Sequence, residues 1–167
     1  MQENREVLVS VVMGSDSDLP VMEEAVKVLE DFAIPHELYL TSAHRTPERT
    51  AQFARTAAKR GIRAIIVGAG AAAHLAGVIA SQTPLPVIGV PSDATPLRGL
   101  DALLATVQMP GGIPVATMAI GKPGAKNAAL LAVRILALDD AELLKKLQTH
   151  VRKMAREVER KHENLKK

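Results

Sequence analysis

Histidine and arginine stand side by side in residues 42–47, which read SAHRTP. The planar guanidinium of Arg45 can bind a phosphate through two parallel hydrogen bonds, and the hydroxyl of Ser42 adds a donor. A histidine side chain titrates near neutral pH, with a reference pKa of about 6.5, so His44 can take up and release a proton. A lone histidine at a strand end is usually only a surface residue, but these neighbours can also bind a ligand. The segment therefore predicts an anion site beside an acid-base group.

A second polar segment, residues 14–18, follows an apolar run and reads GSDSD. It precedes a helical pattern, so free backbone N–H groups and the hydroxyls of Ser15 and Ser17 favour an anion there. The acidic residues disfavour a bare phosphate site. Asp18 can accept hydrogen bonds from sugar hydroxyls, so a ribose phosphate fits better than free phosphate. One alternative stays open, in which a serine or aspartate simply caps the following helix.

Small residues dominate a third segment, residues 68–77, which reads GAGAAAHLAG. Such a turn lets the backbone approach a ligand closely. A dinucleotide-binding loop would need glycine where Ala73 stands and would follow the first strand rather than the third, so no nucleotide cofactor is predicted. His74, considered alone among the alanines, fits a buried core histidine.

The composition excludes several other kinds of chemistry. The chain has no cysteine, which rules out disulfides, thiolate metal sites and thiol nucleophiles. Its five histidines show no pair at metal-ligand spacing, and no metal site is predicted. The sequence also lacks Walker and nucleophile-elbow motifs. Residues 121–124 (GKPG) are interpreted as a polar turn. Asn127 either faces the site or caps the helix that follows, and the cap is favoured.

Apolar strand patterns alternate with helical patterns along the chain. Strands are predicted near residues 7–13, 37–41, 63–67, 86–90 and 115–120, and helices near residues 18–32, 46–60, 71–81, 99–107 and 125–138. This alternation indicates right-handed crossovers and a parallel sheet between two helical layers. Ligands of such sheets bind at the carboxyl ends of the strands. Because the three segments above all follow predicted strands, we expect them to meet at one edge.

A long amphipathic helix is predicted for residues 140–165, since apolar residues recur there at intervals of three and four. At 1.5 Å per residue it would be about 38 Å long, which is more than the body needs. We expect residues 1–139 and the terminal segment 140–167 to form one domain. Two roles stay open, because the helix can dock on a neighbouring subunit or lie on its own sheet. Its apolar positions are Leu144, Leu147, Val151, Met154 and Val158.

Charge is distributed unevenly along the chain. The net charge is +3, but nine Lys or Arg and three Glu between Lys145 and Lys167 place +6 there and leave −3 for residues 1–144. With a slightly acidic body and three aromatic residues, the chain lacks the basic groove and stacking surfaces of a nucleic-acid binder, and none is predicted. Apolar stretches end well short of the ~20 residues of a membrane span. Residues 1–6 show no signal-peptide pattern, so we expect a cytoplasmic location.

Taken together, the segments resemble the family of 5-(carboxyamino)imidazole ribonucleotide mutases. The resemblance spans nearly the whole chain and rests on residues 13–18, 42–47, 68–75, 107–117 (VQMPGGIPVAT) and 127–132 (NAALLA). It implies a flavodoxin-like three-layer α/β/α sandwich with a parallel five-stranded sheet and a long C-terminal helix. It also implies assembly as a homo-octamer with active sites near subunit contacts.

The resemblance implies a reaction of de novo purine (IMP) biosynthesis. A carboxylate moves from the exocyclic nitrogen of a ribonucleotide to its ring carbon, with His44 as the general acid or base. No cofactor is implied, because a closed site that retains transient carbon dioxide and a proton acceptor suffice. The resemblance also implies a set of substrate-binding residues, namely Ser15, Ser17, Asp18, Ser42, Arg45, Gly70, His74 and Leu75.

Some residues depart from the family pattern. The family usually carries glycine where Ala71 stands and proline where Ala76 stands, which affects the shape of the third segment. Residues 91–93 (PSD) resemble instead related carboxylases that use aminoimidazole ribonucleotide and carbon dioxide directly. Two features favour the mutase. Those carboxylases typically have lysine where Arg45 stands, and they lack the sequence AAHL of residues 72–75. A second alternative is a non-enzymatic flavodoxin-like binding module, because a fold does not determine a function.

Overall fold

The computed structural model describes residues 6–166 and contains a sheet in the order β2-β1-β3-β4-β5. All neighbouring strands in it are parallel. This order is that of flavodoxin-like folds, so the predicted fold class is confirmed. The strands are β1 (Val9–Met13), β2 (His36–Leu40), β3 (Ala64–Ala69), β4 (Val87–Pro91) and β5 (Ala116–Thr117).

Helices cover both faces of the sheet. One core cluster lies between the sheet and α1, α5 and the start of α6, and a second lies between the sheet and α2, α3 and α4. The helices are α1 (Leu19–Asp31), α2 (Pro47–Ala57), α3 (Leu75–Ala80), α4 (Leu100–Val107), α5 (Lys122–Leu136) and α6 (Ala141–Asn164), with 3₁₀ turns at Asp16–Asp18 and Ala58–Arg60.

The central strands are apolar on both faces because both faces are covered. Successive side chains of β1 enter opposite clusters, Val11 on the α1 side and Val12 on the α2 side. At the end of β3, a Cβ on Gly68 would lie 2.5 Å from the sulfur of Met22. The missing side chain therefore lets α1 pack close to β3, which brings the turn at residues 14–18 to the end of that strand.

The third helix is shorter than predicted. Helix α3 begins at Leu75, whereas the alanine-rich pattern predicted a start near residue 71. Ala71 has a positive φ of 51°, which a helix does not tolerate, and the next residues form tight turns. The N–H of Ala73 donates to the carbonyl of Ala71, and that of His74 to the carbonyl of Ala72. High helix propensity thus gives way to a loop.

The fifth helix begins and ends earlier than predicted, and the interpretation of residues 121–124 as a polar turn is wrong. Helix α5 begins at Lys122 and includes Pro123 in its first turn, where a missing backbone N–H costs little. Asn127 is the sixth residue of the helix and is exposed, so it is not the helix cap. Strand β5 is only two residues long, although the N–H of Met118 still reaches the carbonyl of Gly89 at 2.8 Å.

The first turns of α6 pack on the body, and the rest does not. Asp140 caps the helix by accepting hydrogen bonds from the backbone N–H groups of Glu142 and Leu143. Leu143 and Leu147 are buried, but a second apolar face of the helix, which runs from Leu144 to Val158, is open. We call this face the α6 stripe; its members Leu144, Val151, Met154 and Val158 are 42%, 43%, 43% and 67% exposed. Within residues 6–166, no helix combines the length and apolar character needed to cross a bilayer.

Candidate active site

The ends of β1, β2, β3 and β4 surround one open cavity of about 370 Å³. This volume is within the range of small-molecule sites. The structure thus brings the three segments singled out in the sequence to one edge of the sheet, as parallel strands require. Of the predicted site residues, those that line the cavity are Ser15, Ser17, Asp18, Ser42, His44, Arg45, Gly70 and Leu75.

Serine hydroxyls organise the turn after β1. The Oγ of Ser15 accepts hydrogen bonds from the backbone N–H of Ser17 at 3.3 Å and from its Oγ at 2.9 Å. Ser15 therefore caps the short 3₁₀ turn, as the capping alternative proposed, while it also lines the cavity. The two roles are compatible because the cap uses the N–H of Ser17, while Ser15 itself remains part of the cavity wall.

Asp18 is the buried charge of the site. Its side chain is 4% exposed, and its Oδ1 accepts a hydrogen bond of 2.8 Å from the Oγ of Ser92. Its Oδ2 lies 3.9 Å from the position that a Cβ on Gly14 would take, and Gly14 is itself part of the cavity wall. The carboxylate is therefore anchored on one side and faces the cavity on the other.

The turn after β2 is held by its own polar groups. Thr46 accepts a hydrogen bond from the N–H of Ser42 at 2.9 Å through its Oγ1 and donates to the Ser42 carbonyl at 3.1 Å. Thr46 precedes α2 but makes no side-chain cap to it, because its hydroxyl is used in this turn. The guanidinium of Arg45 donates to the carbonyl of Gly14 at 3.3 Å. This contact joins the first two segments and leaves the other donors of Arg45 free for a ligand.

His74 pairs with His44 across the two loops. The Nε2 of His44 and the Nδ1 of His74 are 2.8 Å apart, and the rings meet edge to face. Both side chains are exposed, so the interpretation of His74 as a core histidine is wrong. In a neutral pair one ring donates and the other accepts. The pair can therefore present His44 as an acid or as a base, depending on which ring holds the shared proton.

The two residues that depart from the family pattern fit their backbone environments differently. Ala71 lines the cavity with a φ of 51°, a conformation that glycine adopts without strain. Ala76 is the second residue of α3 and is buried. Proline is tolerated at that point of a helix, so alanine and proline are compatible with the same local fold.

Sequence reasoning missed the loop after β4 as part of the site. Ala94 lines the cavity, and the buried Ser92 donates a hydrogen bond to Asp18. The available signal was that Ser92 follows a strand next to β3 and so had to lie at the same edge. Small side chains without charge gave no chemical signal.

Other charged groups of the described chain do not add a metal centre. No cluster of three or more histidine, aspartate or glutamate side chains within residues 6–166 has a metal-binding arrangement. On the exposed face of α1, the hydrogen bond between Glu24 and Lys27 lowers the pKa of the carboxyl and raises that of the ammonium. Neither residue lines the cavity.

A family model, two sequence relatives and a solved structure each match most of this chain. Residues 8–157 match the AIR carboxylase family. The chain is 58% identical to the N5-carboxyaminoimidazole ribonucleotide mutase of Pyrococcus horikoshii, over 95% of this chain and 88% of that protein. It is 54% identical to the phosphoribosylaminoimidazole carboxylase of Saccharomyces cerevisiae, over 90% of this chain but 26% of the yeast protein. The crystal structure of Treponema denticola PurE superposes with a TM-score of 0.84 at 30% identity, covering 96% of this chain and 99% of that one.

Proposed function

Because the chain belongs to the AIR carboxylase family, we propose that it is an N5-carboxyaminoimidazole ribonucleotide mutase of de novo purine biosynthesis. The family resemblance that the motifs predicted is thereby confirmed. The observation that carries the proposal is the single cavity that joins Asp18, Arg45 and His44. The carboxylate suits the ribose hydroxyls of a ribonucleotide, the guanidinium suits its phosphate, and the imidazole suits a base that must lose a proton.

The substrate binds by its sugar and phosphate. Asp18 accepts hydrogen bonds from ribose hydroxyls, and Ser15 and Arg45 contact the nucleotide with hydroxyl and guanidinium donors. Ser17 and Ser42 lie near the phosphate. The loop that contains Gly70, His74 and Leu75 closes over the base. Small residues in this loop support such a fit, because they let the backbone approach a flat ring.

The reaction breaks one bond to the carboxyl carbon and makes another. The bond from the exocyclic nitrogen to the carboxyl carbon breaks, and its electron pair stays on the nitrogen, which takes a proton from His44. The carbon dioxide released is retained beside the ring, under the loop that covers the base. The electron-rich ring carbon then attacks it to form the new carbon–carbon bond. His44 accepts the proton that this carbon loses, and such a step is typically worth about 100- to 10,000-fold in rate. The hydrogen bond to His74 supports this role because it orients the imidazole.

A direct aminoimidazole ribonucleotide carboxylase is the second candidate. Its support is the segment at residues 91–93 and the similarity to a yeast protein named as a phosphoribosylaminoimidazole carboxylase. The deciding assay supplies the purified enzyme with either N5-carboxyaminoimidazole ribonucleotide or 5-aminoimidazole ribonucleotide plus bicarbonate, and compares kcat/KM for the common product. A strong preference for the former supports the mutase. Equal use of both substrates, or preference for the latter, contradicts it.

We also propose that residues 1–139 and α6 form one domain and that this domain assembles as a homo-octamer in the cytoplasm. Support for assembly comes from two open apolar faces, the α6 stripe and a second face along α4. The α4 face consists of Leu97, Leu100, Leu104 and Val107, which are 63%, 53%, 49% and 50% exposed. Patches of this kind commonly mark subunit contacts. The cytoplasmic location follows from the substrate, because a phosphorylated nucleotide does not cross membranes freely.

A further inference from the structure

Ser92 is a buried polar residue without a role in the reaction described above. It follows β4 directly and is 3% exposed. Its backbone N–H donates to the carbonyl of Ala69 at 2.9 Å, which ties it to the end of β3. Its hydroxyl donates to Oδ1 of Asp18 at 2.8 Å, across 74 positions of sequence. The hydroxyl is therefore aimed by the backbone of one loop at the carboxylate of another.

The space around this hydroxyl is closed. A Cβ on Gly70 would lie 2.6 Å from the Oγ of Ser92 and 3.0 Å from the Cβ of Ala94. Gly70 thus packs directly against Ser92, and the hydroxyl lies between this glycine and the carboxylate of Asp18. Such packing restricts the side chain of Ser92 to the position from which it donates.

A buried carboxylate needs donors to replace the water that it loses. Among the side chains of residues 6–166, Ser92 is the one that donates a hydrogen bond to the carboxylate of Asp18. Hydrogen bonds to charged groups are stronger than those between neutral pairs. Removal of the hydroxyl therefore leaves the carboxylate free to rotate, and its cavity-facing oxygen loses a defined position.

We propose that Ser92 is a positioning residue for ribonucleotide binding: it holds Oδ1 of Asp18 so that Oδ2 is directed at the ribose hydroxyls of the substrate. The inference rests on the proposed substrate contact of Asp18. It adds that this contact depends on a residue of the β4 loop that does not itself line the cavity. The effect is expected on binding, because the hydrogen bonds of Ser92 go to Asp18 and Ala69, whereas His44 and His74 bond to each other.

The test is a double-mutant cycle of Ser92→Ala and Asp18→Ala, with binding of 5-aminoimidazole ribonucleotide measured by calorimetry and turnover measured in parallel. Ser92→Ala is expected to weaken binding and raise KM about tenfold or more, with kcat within about twofold. In the Asp18→Ala background the same change should have no further effect, because the hydroxyl acts only through the carboxylate. Ser92→Cys restores volume with a weak donor and should remain impaired.

Thr95→Ala is the matched control, since Thr95 lies in the same loop but donates to Asp101 rather than Asp18. It should bind the ribonucleotide as the unmodified protein does. Three results would overturn the positioning role without affecting the proposed mutase function. They are full recovery of binding in Ser92→Cys, the same loss of binding when Ser92→Ala is added to Asp18→Ala, and the same loss of binding in Thr95→Ala. Ribonucleotide binding with the expected cycle but no turnover of either substrate would support the role of Ser92 and reject the mutase. Failure of the unmodified protein to bind the ribonucleotide would reject both.

Discussion

The orientation and tautomer of the His44 ring depend on its hydrogen bond with His74. A single exposed imidazole rotates freely and exchanges its tautomers, whereas the 2.8 Å contact between Nε2 of His44 and Nδ1 of His74 restricts both. If the Nε2 of His44 carries the proton and donates it to His74, the Nδ1 lone pair of His44 is available as the base. The opposite tautomer leaves Nδ1 of His44 as an acid. The hydrogen bond thus supplies both forms that a reversible carboxyl transfer requires.

Replacement of His44 by asparagine should abolish turnover and leave substrate binding largely intact. The loss of rate should be about 100- to 10,000-fold, because the proton acceptor is gone while the sugar and phosphate contacts remain. Steady-state kinetics and calorimetry with the ribonucleotide measure the two effects separately. His162→Asn, on the distal part of α6, is the control and should be fully active. Near-normal turnover of His44→Asn would remove His44 from the mechanism.

Substitution of His74 separates orientation from direct substrate contact. His74→Ala should lower kcat about tenfold with KM little changed, because the lost hydrogen bond frees the ring of His44. His74→Asn should recover most of the activity, since its amide can replace Nδ1 at a similar position. A rise in KM with kcat retained would instead favour the substrate contact that the family resemblance implies. Equal activity of the alanine and asparagine variants would exclude the orienting role.

The loop after β3 at the site, and the start of α5 outside it, depend on backbone conditions that side-chain chemistry does not reveal. The loop after β3 contains Ala71 at positive φ, and the start of α5 packs against the chain that follows β5. A Cβ on Gly124 would lie 1.6 Å from the carbonyl oxygen of Ala119. Glycine at 124 is therefore required by a close backbone approach, even though it stands in a helix where alanine is normally preferred.

Gly124→Ala should destabilise the protein by about 3 kcal/mol, in spite of its better helix propensity, because the backbone of α5 must shift away from Ala119. Gly111→Ala is the matched control, since a Cβ on Gly111 would meet nothing within 4 Å. Its effect should be within about 0.5 kcal/mol. Urea unfolding followed by circular dichroism compares the two variants. A Gly124→Ala variant as stable as Gly111→Ala would show that the backbone accommodates the added methyl group.

At the scale of the whole molecule, α6 divides into a part that completes the core and a part that does not. Leu143 and Leu147 are buried on the body, so removal of the entire helix would expose core as well as any subunit contact. The α6 stripe continues the same three-and-four spacing beyond the body, which is the pattern of helix-to-helix packing. The surrounding charge is basic, whereas residues 1–144 carry a net charge of −3. Packing of the α6 stripe on the body of a neighbouring subunit would therefore bring together surfaces of opposite charge.

The double substitution Val151→Glu and Met154→Glu should lower the oligomeric state without unfolding the subunit. Both side chains are 43% exposed in the single chain. The two glutamates should therefore leave the fold of the subunit intact and disrupt only a subunit contact made by the α6 stripe. Sedimentation velocity measures the change. Lys153→Gln with Arg156→Gln alters the net charge by the same amount on the same helix, and its sedimentation should match that of the unmodified protein. An unchanged profile for the glutamate variant would exclude the α6 stripe as a subunit contact.

The order of elements follows from local sequence patterns. Apolar runs of β-branched residues predict the strands, and Thr46-Pro47 and Gly61 mark the limits of the second helical segment, where Gly61 has a φ of 89°. Strands that alternate with helices form parallel sheets, so the carboxyl ends of the strands had to share an edge. The location of the candidate site could be predicted from the sequence for this reason. The errors at the starts of α3 and α5 arose where a positive φ at Ala71 and the contact of Gly124 with Ala119 outweighed local preference.

The pairs that specify the chemistry depend on tertiary structure. His44 and His74 are 30 positions apart, and Asp18 and Ser92 are 74 apart. Whether such side chains meet is decided by strand register, by the crossovers between strands and by the close packing of helices on the sheet, and none of these leaves a periodic signal in the sequence. The amino-acid sequence by itself determined which chemical groups stand at the strand ends. Only the folded chain decided which of them touch, because contact at 2.8 Å depends on the positions of elements that the local sequence does not encode.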